Sequence, residues 1–212
     1  MKRTNKKALF ASLLFLLAFT LWTMAVLFFD VKAVGPLGSF VGLAKINTAF
    51  HDFTGVHLSL YIITDWLGLV PIAIAFSFAM LGLVQWIKRK RLSKVDHDIL
   101  LLGGFYTAVF SAYVIFEYLA VNYRPVLIEG ILEPSYPSST TLLVLCVLPT
   151  AMHQFHMRIK NKLLRMLTIL LACAFTVFTV AARLISGVHW LSDIIGGVLL
   201  SASLVMAYYA LK

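Results

Sequence analysis

Met1-Lys2-Arg3-Thr4-Asn5-Lys6-Lys7 leads into an apolar stretch, Leu9 to Phe29, that carries no charge. A basic opening before an apolar run is also how a secretory signal begins, but its hydrophobic region is only about 7–15 residues long. This run is long enough to cross a hydrocarbon core of about 30 Å, so it reads as a retained spanning helix. Five more apolar runs follow at about 66–87, 99–120, 140–157, 166–184 and 190–211. They are too long for strands and show no alternation of period two. The expected fold is all-α, a single domain over 1–212 built as a bundle of six transmembrane helices. Between the first two spans, Asp30 to about Ser59 is a mixed stretch with Gly35-Pro36, Gly38, Gly42 and Gly55. It reads as an external loop with a short interfacial helix around Phe40–Phe53.

Composition agrees with the spans. Of 212 residues, 61% are hydrophobic and 13% charged, against roughly 25% charged in soluble domains. No length is left for a separate soluble catalytic domain, so any chemistry sits at the ends or inside of the bundle. Cys146 and Cys173 both lie in apolar runs without metal-type spacing, which excludes a disulfide scaffold.

The formal charge is +9, from 18 Lys+Arg against 9 Asp+Glu. In a membrane chain such an excess marks cytoplasmic loops rather than a nucleic-acid partner. Fourteen of the 18 fall in one alternating set of connections: Lys2, Arg3, Lys6, Lys7, Lys88 to Arg91, Lys94, Arg158, Lys160, Lys162, Arg165 and Lys212. The other set holds only Lys32, Lys45, Arg124 and Arg183. Both termini are therefore expected in the cytoplasm.

Two of the external cations sit at the ends of apolar helices, Arg124 in Asn122-Tyr123-Arg124-Pro125 and Arg183 in Ala181-Ala182-Arg183-Leu184. Between them, Tyr136-Pro137-Ser138-Ser139-Thr140-Thr141 opens the fourth span. Proline with hydroxyl residues is a helix-start signature, and a helix start also attracts anions. After Arg183 come His189 and Asp193, four residues apart and expected on one face of the last helix. A carboxylate that takes the proton of one imidazole nitrogen leaves the other free as a nucleophile or base. Two guanidiniums, a hydroxyl-rich helix start and a His–Asp pair on one side of the membrane make a phosphate-handling set.

In order and spacing these residues resemble the type 2 phosphatidic acid phosphatase (PAP2) superfamily. Its motifs are Lys-x6-Arg-Pro, Pro-Ser-Gly-His and Ser-Arg-x5-His-x3-Asp. This chain has Glu117-x6-Arg124-Pro125, Pro137-Ser138-Ser139-Thr140 and Ala182-Arg183-x5-His189-x3-Asp193. The resemblance implies that His189 attacks phosphorus and becomes a phosphohistidine, with Asp193 orienting it. It also implies that Arg124, Arg183, Ser138 and the backbone at Ser139 hold the phosphoryl oxygens, with no metal and no cofactor. The expected partners are a lipid phosphate or diphosphate and membrane lipids, at the outer face of a bacterial plasma membrane.

Two positions depart from the pattern. Glu117 replaces the phosphate-contacting lysine and is expected to pair with Arg124 or Arg183 and position it, or to stay protonated. Thr140 stands where the family has the histidine that protonates the leaving oxygen. A threonine hydroxyl is a poor acid near neutral pH, which favours a diphosphate, whose leaving group needs little protonation. Two other readings are a phosphotransferase on the same scaffold and a member that binds phosphorylated lipid without turnover.

The charge asymmetry makes the topology testable. A cysteine introduced after Glu129 should react with a membrane-impermeant thiol reagent on intact cells, and one near Lys90 should not. The reverse labelling would overturn the orientation.

Overall fold

Asn5 accepts from the Ala8 N–H and starts α1 (Lys6–Phe28). The computed structural model describes residues 5–212, so Lys2 and Arg3 lie outside the described residues. The other helices are α2 (Ala44–Thr54), α3 (Leu58–Leu67), α4 (Leu69–Arg89), α5 (His97–Leu119), α6 (Ser139–Arg158), α7 (Lys162–Ile185) and α8 (Leu191–Leu211). No strand occurs among the described residues, only isolated bridges such as Tyr123 with Pro134 in the loop after α5.

Among the described residues, five segments are long and apolar enough to cross a membrane: α1, α3 with α4, α5, α7 and α8. The chain is an integral membrane protein. Most of the large side chains on α1 and α7 are exposed, as suits helices bordering lipid rather than water.

The expected fourth span, α6, falls outside that set because it is the helix the others surround. Helices α4, α5, α7 and α8 all touch it. Its buried residues include Thr140, Thr141, Thr150 and Gln154. A helix with neighbours on most sides has little lipid to satisfy, so hydroxyls and an amide are tolerated where they find partners. Pro149 interrupts its backbone ladder, and the Thr150 hydroxyl bonds the Cys146 carbonyl at 2.9 Å.

Helices α1 and α8 run against each other over most of their length. The Ser203 hydroxyl donates to the Ser12 carbonyl (3.0 Å), and the Trp22 indole to the Ser192 carbonyl (3.0 Å). The Asn5 N–H donates to the Ala210 carbonyl (3.1 Å), which puts the start of α1 and the end of α8 at one end of the bundle. The same end is tied by Arg158 to Asp98 and Arg89 to Asp96, each at 2.7 Å.

The stretch Asp30–Ser59 departs from its reading in one respect. A helix does form at α2, but the second span begins at Leu58 rather than near Trp66. Ser59, Tyr61, Thr64 and Asp65 make this first part look like loop in the sequence. The chain breaks step at Gly68, whose N–H bonds the carbonyls of Thr64 and Asp65 at 3.0 Å.

At the opposite end, the α7–α8 connection meets the turn between α2 and α3. The His57 N–H donates to the Ser186 carbonyl at 2.9 Å. Gly187 takes φ +69°, and a Cβ there would strike the Gly55 carbonyl. Left-handed backbone costs other residues roughly 1–2 kcal/mol, and the collision adds to it. Gly187→Ala should lower the thermal unfolding midpoint in detergent by at least the ~2–4 °C that 1 kcal/mol represents in a chain of this size. An unchanged midpoint would mean the close approach to Gly55 is absent.

Candidate active site

The ends of α5 and α7 and the starts of α3, α6 and α8 meet around a cavity of about 380 Å³. Among its wall residues are Arg124, Arg183, His189, Ser139 and Glu117. The sequence had marked all five. Ser138 and Asp193 lie behind the wall, both fully buried. Thr140 is buried too, but its methyl faces Gly68 at the α3–α4 junction, 3.8 Å from where a Cβ would stand. It is not part of the cavity wall.

Arg183 is in the last turn of α7 and only 1% exposed. Its Nη1 donates to Thr64 Oγ1 (3.2 Å), and its Nη2 lies 3.6 Å from Asp65. Arg124 pairs with Glu133 at 2.9 Å. Both guanidiniums sit over the Tyr61 ring, at 4.9 Å for Arg183 and 5.6 Å for Arg124, within the range of cation–π attraction. Glu117, expected to pair with one of them, makes no ion pair among the described residues. Glu133 and Asp65 occupy those guanidiniums, and Glu117 remains a carboxyl in the wall.

His189 precedes α8 rather than lying on it, because the helix begins at Leu191. Asp193 Oδ2 accepts from the Trp190 N–H at 3.0 Å and so caps the start of the helix just after His189. The pair still meets, with His189 Nδ1 at 3.6 Å from Asp193 Oδ2. That is longer than a hydrogen bond, although catalytic contacts often tighten only with substrate bound. Asp193 Oδ1 faces Asn122 Nδ2 and Ser192 Oγ, each at 3.4 Å.

The start of α6 does not use the expected side-chain cap. Ser138 holds the N-cap position, yet its hydroxyl accepts from Thr141 Oγ1 (3.0 Å), and its N–H donates to the Asp193 carbonyl (3.1 Å). Of the hydroxyl residues 138–141, Ser139 is the one in the wall, which Ser135 also lines.

Arg124 Nη1, Arg183 Nε and both His189 nitrogens are buried without a hydrogen-bond partner among the described residues. Buried polar groups of this kind are usually satisfied. Donors from two guanidiniums beside an imidazole suit an anion with several acceptor oxygens, such as a phosphoryl group. No group of three or more His, Cys, Asp or Glu among the described residues is placed to hold a metal ion.

Tyr61, Asp65, Tyr113 and Glu133 also line the cavity. The sequence pattern marks none of these four as a site residue. The one signal was that Tyr61 and Asp65 are four apart and share a helix face.

The bundle and its cavity define a membrane protein with a polar, arginine-bearing cavity at one end. The family model of the PAP2 superfamily matches residues 104–212. The chain belongs to that superfamily. Among solved structures it is similar to the PAP2-type phosphatidylglycerolphosphate phosphatase of Bacillus subtilis, at 18% identity and a TM-score of 0.55, covering 94% of each chain. No curated protein matches.

Burial and the nearby positive charges of Arg183 and Arg124 hold the His189 imidazole well below its ordinary 6.5, with the Ser135 backbone working the other way. The folded ring thus stays neutral while an unfolded one takes a proton as pH falls through 6.5. Between the folded value and 6.5 the unfolded state binds more protons, so stability declines as pH drops through that window. His189→Gln should flatten the fall of the unfolding midpoint between about pH 7 and 5. An identical slope in both proteins would mean that the ring is not buried as a neutral group.

Proposed function

We propose that this protein is a lipid phosphatase that removes a terminal phosphate through a phosphohistidine, with a preference for a lipid diphosphate. The observation that carries the reading is the convergence of Arg124, Arg183 and His189 on one cavity, with Asp193 behind the histidine. In the first step His189 Nε2, the nitrogen turned from the carboxylate, forms a bond to phosphorus while the bond to the leaving oxygen breaks. The two guanidiniums and the backbone at Ser139 hold the phosphoryl oxygens and the charge that gathers on them. In the second step water attacks phosphorus, the N–P bond breaks, phosphate leaves and the neutral ring is restored. The cavity faces the outside of the membrane, in keeping with the distribution of basic residues.

An apolar groove of about 780 Å³ between α4, α5 and α6 supports a lipid substrate. Leu142 and Leu143, consecutive on α6, line the cavity and the groove respectively. A hydrocarbon chain lying there keeps its head among the arginines.

The placement of Thr140 away from the cavity supports the diphosphate preference. A monophosphate ester expels an alkoxide that needs a proton, and general acid help is worth about 10²–10⁴-fold. A diphosphate expels a phosphate, which is a weak base. The Bacillus subtilis protein is named for phosphatidylglycerolphosphate, whose terminal phosphate is a monoester. If that is also the substrate here, a wall carboxyl such as Glu117 supplies the proton.

The test is phosphate release by purified protein, without added metal, from mono- and diphosphate lipids with the same chain. The diphosphate should be cleaved faster, and His189→Ala should abolish release from both. Faster cleavage of the monophosphate would defeat the leaving-group argument. Turnover by His189→Ala would sink the mechanism. Phosphate recovered on an acceptor lipid instead of in water would indicate a transferase, and binding without release a member that does not turn over.

A further inference from the structure

Behind the His189–Asp193 pair lies a second layer of buried amides. Asn122, in the loop after α5, and Asn47, on α2, are each 1% exposed. The Gly42 N–H donates to Asn122 Oδ1 at 3.2 Å, and an N–H can only meet an oxygen, so the orientation of this amide is settled. Its Nδ2 then points to Ser192 Oγ (3.3 Å) and Asp193 Oδ1 (3.4 Å). Asn47 is fixed in the same way. Its Oδ1 accepts from the Ser192 N–H (3.0 Å), and its Nδ2 donates to the Gly42 carbonyl (2.8 Å) and Ser192 Oγ (2.9 Å).

We propose that Asn122 is a positioning residue for the reaction, holding Asp193 Oδ1 so that Oδ2 stays turned toward His189 Nδ1. The proposal rests on the reading of His189 as nucleophile. A carboxylate can rotate about its Cβ–Cγ bond, and its direction is set by what each oxygen accepts. Here Oδ2 accepts from the Trp190 N–H and faces the ring at 3.6 Å, while Oδ1 accepts from Asn122 and Ser192, with the Ser135 side chain also beside the carboxylate. The position calls for an acceptor toward Gly42 and a donor toward Asp193 on one short side chain. Asparagine meets both demands. Aspartate meets only the first, and it would set a second carboxylate against Asp193.

Asn122→Asp is therefore the informative variant, because it keeps the bond from Gly42 and loses both donations. It should lower kcat about 10–100-fold, as loss of an outer-shell partner typically does, with KM unchanged because no phosphate contact is touched. If it does not fold as judged by thermal unfolding, Asn122→Ser replaces it. The serine hydroxyl is too short to reach Asp193 Oδ1, so the kcat of this variant should also fall below wild type with KM unchanged. A wild-type kcat, or a rise in KM alone, in a folded variant overturns the proposal. The second readout is the tautomer of His189 in ¹⁵N-histidine-labelled protein. Wild type should carry its proton on Nδ1 alone, and the variant should mix tautomers. If wild type releases no phosphate from any lipid tested, the phosphatase reading fails and the tautomer comparison still decides the role of Asn122. If wild type is active and the variant matches it in rate and tautomer, only the positioning role fails.

Discussion

A carboxylate taken fully out of contact with solvent has to find donors, and Asp193 draws them from its own turn and from the loop after α5. Trp190 supplies a backbone N–H, Asn122 an amide and Ser192 a hydroxyl. Its own carbonyl receives the N–H of Ser138. The start of α6, the start of α8 and the loop after α5 are thereby brought to one point. Removing a partner would leave a buried charge uncompensated, which is far more costly than losing a surface contact. The candidate site is organised around this residue even though Asp193 itself does not reach the cavity wall.

The two arginines answer the same constraint differently. Each guanidinium has its own carboxylate, Glu133 for Arg124 and Asp65 for Arg183, and both share the face of Tyr61. Arg124 is further held because its backbone N–H bonds the carbonyl of Glu133. Such bracing keeps both side chains aimed before any anion arrives, so less ordering is required at binding. It also offsets part of their charge, leaving unpaired N–H groups rather than net charge to recognise a ligand.

The parts of the site legible from sequence were those that recur at fixed spacing along one segment. His189 and Asp193 were readable from four-residue spacing, and Arg124 and Arg183 from charge placed against apolar helix ends. What escaped depends on contacts between segments. Tyr61 and Asp65 lay in a stretch too polar to look like the start of a span, although these two line the cavity. Glu133 comes back to Arg124 only because the loop after α5 folds on itself at Tyr123 and Pro134. Thr140 aligns with a motif position, but its side chain turns to Gly68. The spans were legible because lipid imposes length and apolarity on each of them. Helix α6, which is not among the five segments apolar enough to cross alone, answers to neighbouring helices instead.

That exception bears on how the protein enters the bilayer during synthesis. A segment with buried threonines, Gln154 and two histidines is a poor candidate to partition into lipid alone. Its connection to α7 is only three residues long, and α7 is among the segments apolar enough to cross unaided. Helices α6 and α7 are thus suited to enter together as a hairpin, the apolar partner carrying the polar one. The hydroxyl-bearing start of α6 would then be delivered to its final depth by the helix that ends in Arg183.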